Sequence, residues 1–436
     1  MIFNTWIYGL FLLATFLAYW LTPERVRQWL LIGAGAFFYT YYFPPHLILI
    51  AASMLIVFWV AGRIAPREAA TGQSAGVGDL AVDPQLGPDS GPDSPDPRLA
   101  IPESAARQRR RMFILAVTAC VGLLAYYKYQ GFLANSINEL LGALGMTTRV
   151  ELRPLRAPLA ISFFMFEYVH YLIEVYRGTF RPASFRDFAL FIFFFPTLIC
   201  GPIKRFQQFN PQKYSRRSLD PANIHDGLER ILFGLSKKTL IADQIAPWCA
   251  PVFLDPSGYT WVQLWLAVYG YAMQIYFDFS GYSDIAIGSA KLFGYPVPEN
   301  FNYPYLQANI TQFWRSWHMS LTSWITDYLY IPLGGNRHGE LRSYGNRLVA
   351  MTICGLWHGA AFHFMVWGLY HGVALNLYQI YRKTRTRLGW ADPSESLPSR
   401  VVGALITFHV VCLGWVLFVC DLDKAWVIIW RLVTLT

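Results

Sequence analysis

Imidazole is the side chain whose proton exchange falls nearest neutral pH, so histidines inside apolar sequence are the first places to look for chemistry. Two stand out. His318 lies in FWRSWHMSL, with Trp314 one turn before it, Thr322 one turn after it and Arg315 nearby. His358 lies in CGLWHGAAFHF, flanked by Gly355, Gly359, Ala360 and Ala361, small residues that leave room for a chain or ligand to reach the ring. An imidazole can remove a proton from a hydroxyl at working pH. Acyl transfer from a thioester to that hydroxyl then needs donors near the developing oxyanion and exclusion of water. Helix packing through the small residues, with one inter-helix hydrogen bond from His358, fits the same pattern. Spacing leaves both readings open.

Other polar groups carry less. Glu167, His170 and Glu174 share one helix face. A Glu-x-x-His of this kind belongs to di-metal bundles only when a second copy faces it, and there is none, so no metal is expected and an interior polar face is favoured. Asp278 and Asp284 flank Ser280 to Ser283, where one helix is expected to end and the next to be capped by Ser283 or Asp284. His363 and His371 read as structural or pore-lining. The six cysteines include no CxxC pair and read as small buried hydrophobes. No P-loop, GxSxG, HExxH or GxGxxG occurs, against nucleotide-driven transport, serine hydrolysis and zinc proteolysis.

These residues sit in a chain that is 54% hydrophobic, 17% aromatic and only 14% charged over 436 positions. A soluble chain carries about a quarter charged residues, so soluble, disordered, collagenous and disulfide-framework classes are excluded. A polytopic all-α membrane protein remains. Its formal charge of +9 is the excess that cytoplasmic loops of such proteins carry, not a nucleic-acid footprint. Apolar runs of spanning length include Trp6–Leu21, Gln28–Phe43, Leu47–Gly62, Met112–Tyr127, Pro158–Tyr176, Phe188–Ile203 and Leu228–Phe253. Val262–Phe279, Ile285–Phe293, Leu348–Phe364, Val366–Tyr381 and Val401–Cys420 follow, about ten to twelve in all.

Three parts are expected: amino-terminal helices over 1–65, a disordered cytoplasmic loop over 66–111, and a core with carboxy-terminal helices over 112–436. Seven prolines fall between Pro66 and Pro102, and no aromatic residue occurs between Trp59 and Phe113, so that loop cannot offset its ordering entropy. Arg25 and Arg27 after the first span, and Arg63, Arg67 and Arg107 to Arg111 around the loop, place the amino terminus outside. Lys128, Arg149, Arg153 and Arg156 break simple alternation, which a re-entrant segment around Phe132–Leu144 would restore. Between Pro296 and Gly339 prolines and polar residues interrupt the hydropathy. Gln307 to Leu329 reads as an amphipathic or re-entrant helix beside a polar cavity.

At five motifs the sequence resembles the membrane-bound O-acyltransferases, nearest to the alginate-acetylating branch and more distantly to the branch that D-alanylates teichoic acid. They are LICGPIKR (Leu198–Arg205), YFDFSGYSDIAIGSAKLFG (Tyr276–Gly294), ENFNYPY (Glu299–Tyr305), FWRSWHMSLTSWITDYLYIPLGGNR (Phe313–Arg337) and GLWHGAAFHFMVWGLYHG (Gly355–Gly372). Ser316 stands where the branch usually has a second Arg, and Gln312 where an acidic residue is common. The resemblance implies about eleven spanning helices, plus re-entrant ones, around a central funnel in a bacterial inner membrane; by the charge pattern above, the amino terminus is then periplasmic. It implies His358 as catalytic base and His318 as the second essential imidazole. Trp314, Arg315, Trp317, Asn309, Trp357 and His363 are assigned with them to the tunnel lining. No resident cofactor is implied. Acetyl-CoA is the implied donor, and the implied partners are membrane lipid and a periplasmic SGNH-hydrolase-like protein that esterifies an exopolysaccharide. D-alanyl transfer from a carrier-protein thioester, a transporter and a non-enzymatic scaffold are the alternatives.

Overall fold

A computed structural model describes residues 3–41, 44–66, 103–152, 155–210, 218–295, 297–390 and 396–435. Among the described residues every regular element is helical, as the apolar composition requires of a chain whose backbone must satisfy itself within lipid. The chain opens with α1 (Trp6–Leu21), α2 (Glu24–Thr40), α3 (Pro44–Ile64) and the long α4 (Glu103–Ala143). Along α1, Tyr8, Leu12, Thr15 and Tyr19 face inward, while Trp6, Leu10, Leu13, Leu17 and Leu21 are exposed on the opposite side. An exposed stripe of large apolar side chains at helical spacing is a lipid-facing surface. Among the described residues, three helices are both long and apolar enough to cross a membrane: His46–Ile64, Glu103–Ala143 and Leu397–Val419.

Two expectations change at α4. Residues 67–102 of the expected loop lie outside the described residues, but 103–111 are already the first turns of the helix. The helix also continues without a break to Ala143, so Phe132–Leu144 is not a re-entrant segment. The sequence supplies the reason: no proline and only three glycines, Gly122, Gly131 and Gly142, occur in the run.

Next come α5 (Ile161–Arg177), α6 (Phe185–Ile192), the single turn α7 (Phe206–Phe209), α8 (Pro221–Leu235), α9 (Asp243–Leu254) and α10 (Trp261–Leu292). Asp278 and Asp284 do not mark a helix boundary; α10 passes through both as one 32-residue helix. They are ion-pair partners of the antiparallel α8 side. Asp284 takes Arg230 and Lys237, each at 2.6 Å, and Asp278 takes Lys238 at 2.6 Å. Glycines bring these two helices into backbone contact: a Cβ at Gly288 would lie 2.5 Å from the Gly227 carbonyl oxygen, and one at Gly234 2.6 Å from that of Gly281. Gly288→Ala is therefore expected to cost about 1–3 kcal/mol in detergent thermal unfolding. Gly9→Ala on α1, where a Cβ meets nothing within 4 Å, should instead gain about 0.5–1 kcal/mol by helix propensity.

The last third holds α11 (Ile310–Ser316), α12 (Met319–Ile325), α13 (Glu340–His358), α14 (Phe362–Arg387), α15 (Leu397–Val419) and α16 (Leu422–Thr434). Gln307 to Leu329 is thus not one amphipathic helix but two buried short ones and a π-helical turn, Thr326–Tyr330. The break has a packing cause. Ile310, Phe313, Trp314 and Trp317 belong to a core built with α9, the first half of α10, α14, α15 and α16. Leu321, Trp324, Ile325 and Tyr328 belong to another, built with α1 to α6 and the end of α10. The chain steps from one core to the other between Trp317 and Met319, and His318 occupies the step.

Candidate active site

His318 is 2% exposed and adopts a left-handed backbone conformation, φ 43° and ψ 54°. For a residue with a side chain this region is strained by about 1–3 kcal/mol and persists only where surrounding contacts impose it. The contacts converge on Asn300, which is fully buried. Its carbonyl accepts from Met319 N at 2.9 Å, its Oδ1 accepts from Ser320 Oγ at 2.6 Å, and its Nδ2 donates to Ser283 Oγ of α10 at 3.1 Å. Ser320 Oγ also accepts from Ile203 N at 3.0 Å, and Asn302 N donates to Ser316 O at 3.0 Å. Asn300 was not singled out in the sequence; its only signal is that a polar residue recurs in the interrupted stretch NFNYP.

His358 is the last residue of α13 and is half-buried. The chain is extended at Gly359 and Ala361 before α14 begins at Phe362. Gly355 and Gly359 do not hold space for a ligand. A Cβ on Gly355 would lie 2.1 Å from Phe364 O, and one on Gly359 1.9 Å from the Phe364 ring, so the vacated volume is filled by α14. Close helix packing explains the glycines, while the imidazole itself lies edge-on to Trp367 and Phe418 at 5.2 Å each.

Trp357 joins the two histidines. Its ring lies 4.7 Å from that of His358 and 6.3 Å from that of His318, and Phe279 of α10 closes the far side of His318 at 4.6 Å. Both ring nitrogens of His318 and the indole nitrogens of Trp357, Trp314 and Trp367 are buried with no hydrogen-bond partner among the described residues. Interior polar atoms are nearly always paired, and groups left open in this way mark places where a polar ligand or catalytic role accounts for them. A cavity of about 320 Å³ adjoins the site, with Ser280, Ser283, Asp284, Glu299, Asn300 and Phe301 among its lining. Residues 299 to 301 come from the stretch where the sequence places a polar cavity. Neither imidazole is in its lining; Asn300, whose carbonyl accepts from Met319 N beside His318, is.

The other sequence candidates separate. Trp314 and Trp357 belong to the cluster. Trp317 packs into the second core, 4.9 Å from Trp415 and 5.1 Å from Phe301. Asn309 is the N-cap of α11, its side chain accepting from Gln312 N at 2.9 Å, and Arg315 is exposed. His363 Nδ1 pairs with Leu417 O at 3.1 Å, a tie between α14 and α15. The Glu167, His170 and Glu174 face is occupied by protein partners. Phe206 N donates to His170 Nε2 at 2.9 Å, so Nδ1 carries the proton toward Tyr328 OH at 2.7 Å, and Tyr328 in turn donates to Glu174 at 3.0 Å. Glu167 pairs with Lys204. These bonds tie α5 to the chain around 204–206 and to the π turn.

Fold and site together define a multi-pass helical membrane protein with a buried and a half-buried imidazole at two helix breaks, bridged by an indole. The chain belongs to the membrane-bound O-acyltransferase family, whose model matches residues 105–415. It is 36% identical over 430 residues to the Pseudomonas aeruginosa protein named "Probable alginate O-acetylase AlgI", covering 98% of this chain and 74% of that one. It is 36% identical over 337 residues to the peptidoglycan O-acetyltransferase of Helicobacter pylori, covering 71% of this chain and 62% of that one. The teichoic acid D-alanyltransferase of Bacillus subtilis is 31% identical over 272 residues, 60% of this chain and 68% of its own. The protein is accordingly an O-acyltransferase, an enzyme of the membrane.

Proposed function

We propose that the protein takes an acetyl group from cytoplasmic acetyl-CoA and delivers it across the inner membrane for O-acetylation of an alginate-like exopolysaccharide, through a periplasmic SGNH-hydrolase-like partner. The amino terminus is periplasmic in this arrangement. The observation that carries the reading is the cluster of His318, Trp357 and His358, with the unpaired ring nitrogens of His318 and Trp357, beside the step between the two cores.

His358 accepts the proton of the acceptor hydroxyl as its oxygen attacks the thioester carbonyl. The carbonyl oxygen takes up negative charge in the tetrahedral intermediate, and a nearby indole N–H, Trp357 first, donates to it. Collapse breaks the carbon–sulfur bond; the leaving thiolate takes the proton from the imidazolium, leaving thiol, ester and neutral His358. His318, held in its strained turn, orients the thioester side. Burial among aromatic rings keeps water from competing as nucleophile.

Acetyl is favoured over D-alanyl because the acetylating relative matches 98% of the chain and the D-alanylating one 60%. Membrane vesicles carrying the protein and its polysaccharide should incorporate alkali-labile label from acetyl-labelled CoA. No incorporation from acetyl-CoA, with incorporation from a D-alanyl carrier-protein thioester, would replace the donor assignment.

A further inference from the structure

We infer that Lys128 and Tyr129 of α4 are positioning residues that fix the last turn of α13, and through it the imidazole of His358. The inference rests on the reading of His358 as the base. A helix leaves its last four carbonyls without partners. Many helices recover them with a left-handed glycine that turns the chain back. Here the residue after the helix is a glycine, but Gly359 is extended, with φ −156°. The carbonyls are met from another element instead. Tyr129 OH donates to Leu356 O at 2.8 Å, and the Lys128 ammonium donates to Trp357 O and, at 3.4 Å, to His358 O. The same ammonium lies 5.5 Å from the centre of the Trp357 ring. A cation is the favoured group at this end of a helix, where the aligned peptide dipoles leave partial negative charge. Phe132 on the next turn of α4 meets Phe362, the first residue of α14, at 4.9 Å, so α4 holds both sides of the break.

The arrangement also accounts for a cation that simple charge alternation left in the wrong place. The other end of α4 uses the same device: Arg109 donates to Ile64 O and Tyr176 O, carbonyls at the ends of α3 and α5. Nineteen residues separate Arg109 from Lys128, about 28 Å of helix. Thus α4 is a strut with a basic group at two levels, each donating to carbonyls at the ends of neighbouring helices. The turn carrying His358 is fixed by side chains more than two hundred positions away in sequence.

The test compares K128M, K128R and Y129F in full-length protein, measuring acetyl transfer from labelled acetyl-CoA and thermal unfolding in detergent. Displacing a reacting group by about 1 Å can cost about 100-fold, so K128M should lower kcat about 10–100-fold with KM for acetyl-CoA and the unfolding midpoint little changed. K128R keeps a cationic donor and should recover most of the rate. Because Lys128 acts through His358, K128M should add no further loss in an H358Q background. Wild-type kcat in K128M overturns the inference, as does a loss that K128R does not recover and that adds in full to H358Q. Should K128M fail to fold, Y129F carries the test: it removes one hydroxyl, and an unchanged kcat overturns the inference equally. Wild-type transfer by H358Q alone would instead remove the functional reading, and this inference with it.

Discussion

His358→Ala should lower acetyl transfer from acetyl-CoA by about 10²–10⁴-fold, the usual contribution of a positioned general base. The protein should remain folded. His358 ends its helix, is half-buried, and touches Trp367 and Phe418, whose rings also pack on each other at 5.2 Å and keep that contact without it. The α13–α14 contact is carried by Gly355 and Gly368 against Phe364 and Met351, not by the imidazole. Transfer and thermal unfolding should therefore part company in this variant. A wild-type rate would remove the mechanism. Loss of rate together with loss of the folded state would show a packing residue instead.

Lys204→Met should destabilise the protein by about 3–5 kcal/mol, the largest stability effect expected in the chain. The side chains of Lys204 and Glu167 are 2% and 7% exposed, so removing the cation strands a carboxylate among aromatic rings. Replacing both, Glu167→Leu with Lys204→Met, should return stability close to that of the wild type, because neither charge then remains to be desolvated. The single variant should also lose activity. Lys204 follows Ile203, whose N–H holds Ser320 Oγ and so the turn at His318. Thermal unfolding of the two variants side by side decides the matter: equal losses in both would mean that packing, not the buried charge, is what the pair supplies.

How much of this was readable from residues alone depends on how local each feature is. The helical membrane class followed from composition, because a chain so poor in charge has no means of coating itself in water. Both histidines were legible, since an ionisable ring inside an apolar run is costly wherever the chain folds. The partnered face of α5 was legible too, from spacing on one helix. The helix boundary at Asp278 and Asp284 was read wrongly. Ser-Gly-Tyr-Ser beside two acids has the chemistry of a cap, and only the three cations of α8 and its following turn make those acids mid-helix partners. The two readings left open for the glycines beside His358 could not be separated for a similar reason: glycine records that something comes close, and here it is Phe364.

By itself, then, the sequence determined the solvent this protein lives in, the helices that follow from it, and which few ionisable side chains are candidates for proton chemistry. Tertiary structure decided everything about how those side chains are held. Asn300, Lys128 and Tyr129 act on His318 and His358 across long stretches of chain, as hydrogen-bond partners to backbone groups. A backbone carbonyl is the same at every residue, so no pattern of side-chain types announces which one a distant lysine will reach. The partnership exists only once two cores have packed and brought α4 against the end of α13.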